Sequence, residues 1–249
     1  MAKKESIALI KGDAIKELKK IKDDSIDFVL TDPPYNLGLF MKNRATNLSA
    51  LRKNHFSGKE WDNLEINDWK ENMEQLFFQL DRVLKEGGNL IVFMAVIKIE
   101  TLINIAEKNN FYYKTTGIWH KKNPMPRNKD LHFINSNECW AYFVNNKKTG
   151  TFNNKGKTIH DFFETALTSS KEKEFGGHPT QKPLPLMDHL IQILSNKGDT
   201  ILDPFMGSGS TGVSASRLGR NFIGIELNGD YVKIAKQRLK KSKQCQLDL

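Results

Sequence analysis

The sequence has almost no cysteine. Only Cys139 and Cys245 occur among 249 residues, which excludes a disulfide framework and the paired spacing of a zinc site and makes a reducing cytoplasm the expected compartment. No run approaches the roughly 18 apolar residues that a membrane span needs, and Met1 to Ile10 has no apolar core leading to a cleavage site. A soluble chain with no membrane partner is expected. His55, His120, His132, His160 and His189 have no ligand spacing, so no metal is expected either. Proline is sparse, at 8 residues, and the adjacent pair Pro33-Pro34 therefore stands out as a stop for any ladder or helix. There is no internal repeat. With 39% hydrophobic and 27% charged residues the composition is that of a globular domain, neither disordered nor fibrous. The charge is unbalanced, 38 basic against 29 acidic for a formal +9. Such a surplus suits a polyanionic partner, because clustered Lys and Arg displace counterions from phosphates.

Strand-like and helix-like segments alternate. β-branched runs at 6–12 and 26–31 flank the helical pattern AIKELKKI, and the second run ends in Asp32-Pro33-Pro34-Tyr35. Residues 36–67 are polar and without period, a connection long enough to be a functional or mobile loop, either closing over a bound cofactor or flanking a base rotated into the site. Trp69, Met73, Leu76, Phe77, Leu80, Val83 and Leu84 make an apolar stripe at helical spacing, stopped by Gly87-Gly88, and read as core. NLIVFMA at 89–95 is a buried-strand run, 97–110 a helix, and 111–146 a strand hairpin that supplies an antiparallel edge. Residues 147–177 are polar and rich in Lys, Thr and Gly. Then come a helix at 184–195, a strand at 200–205, a glycine-rich turn and helix at 207–219, a strand at 222–227 and a basic helix at 230–241 whose Lys-rich face is taken as solvated. The seven strand runs predict a seven-stranded, mostly parallel sheet with helices on both faces.

Two motifs carry chemistry. Asp203-Pro204-Phe205-Met206-Gly207-Ser208-Gly209-Ser210-Thr211-Gly212 follows a strand and opens a helix. Glycines there let the backbone turn sharply and approach a ligand. Glu226 ends the next strand, about twenty residues on, where an acid in dinucleotide-binding folds accepts from ribose hydroxyls. Asp203 would repel a pyrophosphate but suits a ligand with a positive end, and S-adenosylmethionine carries a sulfonium and an ammonium. Asp32-Pro33-Pro34-Tyr35 also ends a strand, so both motifs should face the crevice at the carboxyl ends of the sheet. An exocyclic amino nitrogen is a poor nucleophile because its lone pair is delocalised into the ring. The Asp32 carboxylate and a main-chain carbonyl freed by the prolines can each accept one of its N–H groups, orienting the lone pair toward a methyl donor. Tyr35 offers a face for a base rotated out of the duplex.

These motifs resemble those of the amino-methyltransferases of bacterial restriction–modification systems. The order, Asp32-Pro33-Pro34-Tyr35 before Phe205-Met206-Gly207-Ser208-Gly209, is similar to the circularly permuted beta class. The resemblance implies a Rossmann-like fold that uses S-adenosylmethionine and methylates N6 of adenine in double-stranded DNA. Asp32, Pro33, Pro34 and Tyr35 would be catalytic, while Asp203, Phe205, Gly207, Gly209, Ser210 and Glu226 bind the cofactor. Gly12-Asp13 matches the segment whose acid contacts the cofactor's adenine. His178-Pro179-Thr180-Gln181-Lys182-Pro183 matches the segment holding its methionyl end, which assigns His178, Thr180, Gln181 and Lys182 to the cofactor. Trp119 through Asn128 resembles the lining of the target-base pocket. By elimination, residues 129–177 are left as a small target-recognition insertion in a single catalytic domain spanning 1–249. A homodimer in a nucleoid-associated cytoplasmic setting, with or without a cognate restriction endonuclease, is also implied.

Other readings remain open. An Asp heading the tetrapeptide tilts toward adenine, whereas Ser is commoner in cytosine-N4 enzymes. Intact Asp32, Tyr35 and Phe205 argue against a silent DNA-binding subunit. The charge disfavours a protein substrate but does not separate RNA from DNA. Glu138-Cys139-Trp140 does not resemble the nucleophilic cysteine site of cytosine-C5 enzymes.

Overall fold

A computed structural model describes residues 5–37, 65–126, 129–130, 133–178 and 180–247. Most of the 36–67 connection therefore lies outside the described residues, as do Arg127 and Asn128. In chain order the elements are β1 (Ile7–Lys11), α1 (Ala14–Leu18), β2 (Ile26–Thr31), α2 (Ile66–Val83), β3 (Leu84–Met94), α3 (Ile99–Lys108), β4 (Phe111–Lys121) and β5 (Asn137–Asn145). There follow β6 (Phe162–Thr165), α4 (Leu184–Leu194), β7 (Thr200–Asp203), α5 (Ser210–Arg217), β8 (Asn221–Glu226) and α6 (Gly229–Leu247). They form one sheet ordered β1-β8-β7-β2-β3-β5-β4-β6. Pairing is parallel except on the two sides of β5, which runs against β3 and β4.

The alternation of side chains along each strand divides the core into two layers. Val29, Leu90, Val92, Ala141, Phe143, Leu202 and Ile225 point to the face covered by α1, α2 and α3. Phe28, Leu30, Ile91, Phe93, Trp140, Tyr142, Ile201 and Phe222 point to the face covered by α4, α5 and α6. That period of two, with both faces buried, is why these segments read as apolar runs. Buried polar groups pin the layers together. Asn89 donates to the carbonyls of Thr151 and Leu194 and accepts from the Tyr142 hydroxyl, satisfying its amide inside the core.

Among the described residues the sheet has eight strands, not seven. The additional strand is β6, which pairs in parallel with β4 from Ile118↔Phe162 to Lys121↔Thr165. Four residues in a polar stretch carry too little alternation to be recognised without that partner. The hairpin is antiparallel as expected, but it lies inside the sheet, and β6 forms the edge. A second difference concerns Gly87-Gly88. Helix α2 ends before them at Val83, and β3 starts at Leu84. The register jumps from Ile26↔Leu84 to Phe28↔Asn89, so the glycines sit in an irregularity of β3, with Gly87 at φ +77°.

The Trp69 stripe is core, and Phe77 is its centre. Phe77 meets Phe111 and Phe143 edge-on, with centroids 5.5 and 6.2 Å away. Phe77→Ala should lower stability by about 3–5 kcal/mol, read as a lower urea midpoint at an unchanged m-value. A loss under about 1 kcal/mol would mean that this layer does not carry the fold.

Candidate active site

Strands β2 and β7 are neighbours, paired at Phe28↔Ile201 and Val29↔Leu202, so their carboxyl ends deliver both motifs to one place. Here the strand order reverses: the chain moves outward through β3 on one side and through β8 on the other. A crevice opens at such a point because the covering helices diverge to opposite faces.

Asp203 lies at the floor. It is 4% exposed, and its carboxylate accepts from the Thr31 hydroxyl at 3.0 Å, the Thr211 hydroxyl at 2.6 Å and the Phe205 amide at 3.1 Å. Burial pushes its carboxyl up to about 7, against the lowering effect of these donors. Above it, Gly207 and Gly209 adopt φ +50° and +81°. A Cβ on Gly209 would stand 2.8 Å from that of Ala235, so bare backbone is required for the loop to lie against α6. Glu226 accepts from the amides of Gly207 at 3.1 Å and Asn228 at 2.7 Å, which aims its carboxylate across the loop. Asp13 reaches the same end through β1, whose neighbour is β8, and caps α1 by accepting from the Lys16 amide. Three carboxylates around a glycine turn suit a ligand with positive centres and hydroxyl donors.

The segment before α4 braces this loop from the side. His178 packs edge-on against Tyr231 at 4.5 Å and pairs with the Thr180 hydroxyl at 3.1 Å. Gln181 is buried and accepts from the Ser208 hydroxyl at 2.8 Å. Lys182 turns the other way, to the Asp32 carboxylate. The structure thus brings His178 and Gln181 to the glycine loop and Lys182 to the proline motif.

Asp32-Pro33-Pro34-Tyr35 leaves β2 in neither helix nor strand, as two adjacent prolines favour. The Tyr35 hydroxyl donates to Asp32 Oδ1 at 2.6 Å, and Trp69 Nε1 donates to the Pro34 carbonyl at 3.3 Å. Asp32 Oδ2 pairs with Lys182 Nζ, which also lies 3.1 Å from Glu138 Oε2, while Glu138 Oε1 pairs with Lys121 at 2.7 Å. Burial holds the Asp32 carboxyl above its ordinary value, although Lys182 pulls it down, and the Glu138 charge adds to the rise. Burial alone would lower Lys182, but Asp32 and Glu138 outweigh it and hold the ammonium above its ordinary value. Burial likewise raises Glu138, and Lys182 and Lys121 bring it below the usual carboxylate range. Burial and the Asp32 charge keep the Tyr35 hydroxyl protonated.

Three contributors were not visible in the sequence. Glu138 lies within an apolar strand run, with nothing to mark it except a charge among apolar neighbours. Trp69 is core by pattern, and only its indole N–H has a second task. Arg238 belongs to a helix read as solvated, yet it is 6% exposed and donates to the Ser208 carbonyl at 2.7 Å and the Ser210 hydroxyl at 3.2 Å. Ser210 therefore meets α6 directly. Cys139 is half-buried on β5, and burial with the Glu138 charge raises its thiol, which disfavours thiolate nucleophilic chemistry.

Fold and site together define a methyltransferase of the class that acts on amino nitrogens of DNA bases. The profile of the family described as DNA methylase matches residues 26–237, and the chain belongs to that family of N6 and N4 methyltransferases. It is 36% identical over 248 residues to the type II methyltransferase M2.LlaDCHI of Lactococcus lactis subsp. cremoris, covering 96% of this chain and 91% of that one. Identity to M2.DpnII of Streptococcus pneumoniae is 34% over 246 residues, covering 95% and 90%. The crystal structure of the M1.HpyAVI–SAM complex superposes with a TM-score of 0.69 at 28% identity, over 94% of this chain and 99% of that one. The cytosine-N4-specific PvuII enzyme, 18% identical with a TM-score of 0.76 over 97% and 91%, shares the fold.

Asp203 gives this site a pH signature. Its folded value, about 7 against 3.8 in a free side chain, means that the native state binds a proton the unfolded chain has released. The resulting stability is fully present below the unfolded value and is lost as pH rises through about 7. Asp203→Asn, neutral at every pH, should flatten the fall in urea midpoint between about pH 5.5 and 8. A variant with the parent's pH slope would show that Asp203 is ionised throughout.

Proposed function

We propose that this chain methylates N6 of adenine in double-stranded DNA, with the target base rotated into the crevice and the methyl group transferred directly in line. The observation that carries the reading is the convergence of Asp32 and the Asp203–Ser210 loop on adjacent strand ends, with Asp32 paired to Lys182. S-adenosylmethionine supplies the electrophilic methyl group. Asp203, Phe205, Gly207, Gly209, Ser210 and Glu226 form one wall of its site, with Asp13, His178, Thr180 and Gln181 around it. The positive φ values of Gly207 and Gly209 and the surrounding carboxylates support that assignment.

On the other wall, Asp32 and the Pro33 carbonyl accept the two N–H groups of the target. An ionised carboxylate has about four acceptor positions, and Tyr35 and Lys182 occupy two of them. Asp32 keeps 23% of its side-chain surface open, so an incoming amino group can reach it. Fixing both N–H groups turns the nitrogen lone pair toward the donor, a gain from orientation and electrostatics rather than from acid–base strength. Tyr35 lies beside that position and can stack on the base, with Pro34 held by Trp69. Asp32→Ala should abolish methyl transfer while S-adenosylmethionine still binds by calorimetry. Turnover within about tenfold of the parent would remove Asp32 from the chemistry. Expression in a methylation-deficient host with modified-base sequencing reads base and site together, and N4-methylcytosine there would replace the adenine assignment.

We further propose that the DNA sequence is read from within 129–177, by the described parts at the crevice end, 133–136 and 166–177. The segment has two ends in space. Lys121, Thr165 and the start of β5 lie with the carboxyl ends of β2 and β7, whereas Lys155 and Lys157 line a cleft with Ser6, Ser25, Thr200 and Asn221, at the opposite strand ends. Exposed Lys171 and Lys173 are on the crevice side, next to Gln181 through Glu172. Replacing both by Ala should lower the salt slope of DNA binding by about one unit per lost phosphate contact. Lys155→Ala with Lys157→Ala should leave it unchanged, and the reverse pattern would place DNA on the other end. A cytoplasmic homodimer, with a restriction endonuclease acting on the same site, completes the proposal. A monomer mass in light scattering at every concentration would count against the dimer.

A further inference from the structure

Two lysines and two acids from four separate elements meet beside the proline motif. Asp32 follows β2, Glu138 stands on β5, Lys121 ends β4, and Lys182 precedes α4. Lys182 is 6% exposed along its side chain, and its ammonium lies between the two carboxylates, 4.8 Å from the centre of the Phe93 ring. A charge so placed is held only by its partners, since an isolated ammonium would not stay ionised away from water.

We propose that Lys182, clamped from behind by Glu138, is the positioning residue that keeps Asp32 charged and aimed as an acceptor for the target amino group. The proposal rests on the role given to Asp32 above. A recessed carboxylate left alone takes up a proton, and the protonated form offers a donor where the amino group needs an acceptor. Lys182 prevents this from one side, while the Tyr35 hydroxyl orients Oδ1 from the other. Glu138 keeps the lysine from swinging toward the glycine loop, and Lys121 balances the second acid, so that the four groups are neutral together. The charged and titratable groups facing Asp32 are Lys182, Tyr35, Glu138 and Asp203, with Lys121 and Cys139 beyond Glu138 and Tyr35. Lys182 thereby leaves the cofactor-holding role that its segment's resemblance implies and serves the other substrate.

The test uses the full chain, S-adenosylmethionine and a duplex containing the methylated site. Single-turnover rates are measured against pH for Lys182→Met, Lys182→Arg and Glu138→Gln, with cofactor affinity from calorimetry. In Lys182→Met the acid limb should move by about one to three pH units to the alkaline side, with a rate loss at neutral pH of about tenfold or more. Affinity for S-adenosylmethionine should stay within about threefold of the parent, since the lysine faces Asp32. Lys182→Arg should restore most of the rate. Glu138→Gln should move the limb the opposite way, because a repelling charge is lost while the lysine stays. A purely structural role does not produce opposed shifts.

A parent-like profile in Lys182→Met overturns the proposal. So does lost cofactor affinity with an unchanged single-turnover profile, which would return Lys182 to the cofactor and leave Asp32 untouched. If Lys182→Met does not fold, the limb of Glu138→Gln decides, and no acid shift there overturns the proposal. Failure of the Asp32 reading itself is distinguishable, since Asp32→Ala would then retain turnover.

Discussion

The parallel pairing of β2 with β7 is the contact on which the site depends. Four paired residues bring the ends of the two strands together, and the hydrogen bond between the Thr31 and Asp203 side chains closes the join. Asp203 accepts in turn from Thr211 on α5 and from the Phe205 amide, so one carboxylate ties two strands to the start of a helix. Residues 172 positions apart in sequence become neighbours. The bonds satisfy the buried acid, and they also set where the glycine loop begins.

Two acids thus sit a short distance apart in one crevice and are treated differently. Among the described residues Asp203 has hydroxyl and amide donors but no cation bonded to it, and burial carries it toward neutrality near pH 7. Asp32 has a lysine, and its charge is matched in place. Burial raises both carboxyls, and the difference lies in what stands beside each: hydroxyls and an amide for Asp203, a lysine for Asp32. The side of the crevice with the matched charge can accept hydrogen bonds from an amino group. The side with the glycines presents backbone and carboxylates to a cationic donor.

Much of the fold was legible because apolar runs with β-branched residues, helical stripes and glycine punctuation agree along the chain. The Trp69–Val83 stripe and the last α/β units lie where pattern places them, and the hairpin forms as expected but one strand in from the edge. What escaped had no local signal. Strand β6 is four residues of a polar segment and exists through its pairing with β4. Arg238 looks like any cation of a basic helix, but α6 lies over the glycine loop and turns that side chain into the interior. Glu138 is a single charge in a strand, and only the register of β5 against β4 and β3 places it opposite Lys121 and Lys182.

The sequence by itself determined the class of the protein. Asp32-Pro33-Pro34-Tyr35 and Phe205-Met206-Gly207-Ser208-Gly209 are contiguous, and each marks a strand end by chemistry that needs no knowledge of the rest of the chain. Prolines stop a ladder, and glycines permit a turn. Only the tertiary structure decided which charges face one another. Lys182 belongs by position to the segment beside the glycine loop, and the fold gives it to Asp32 instead. Ion pairs are set by distances across the sheet and between its layers, and no local pattern encodes a partner 150 residues away.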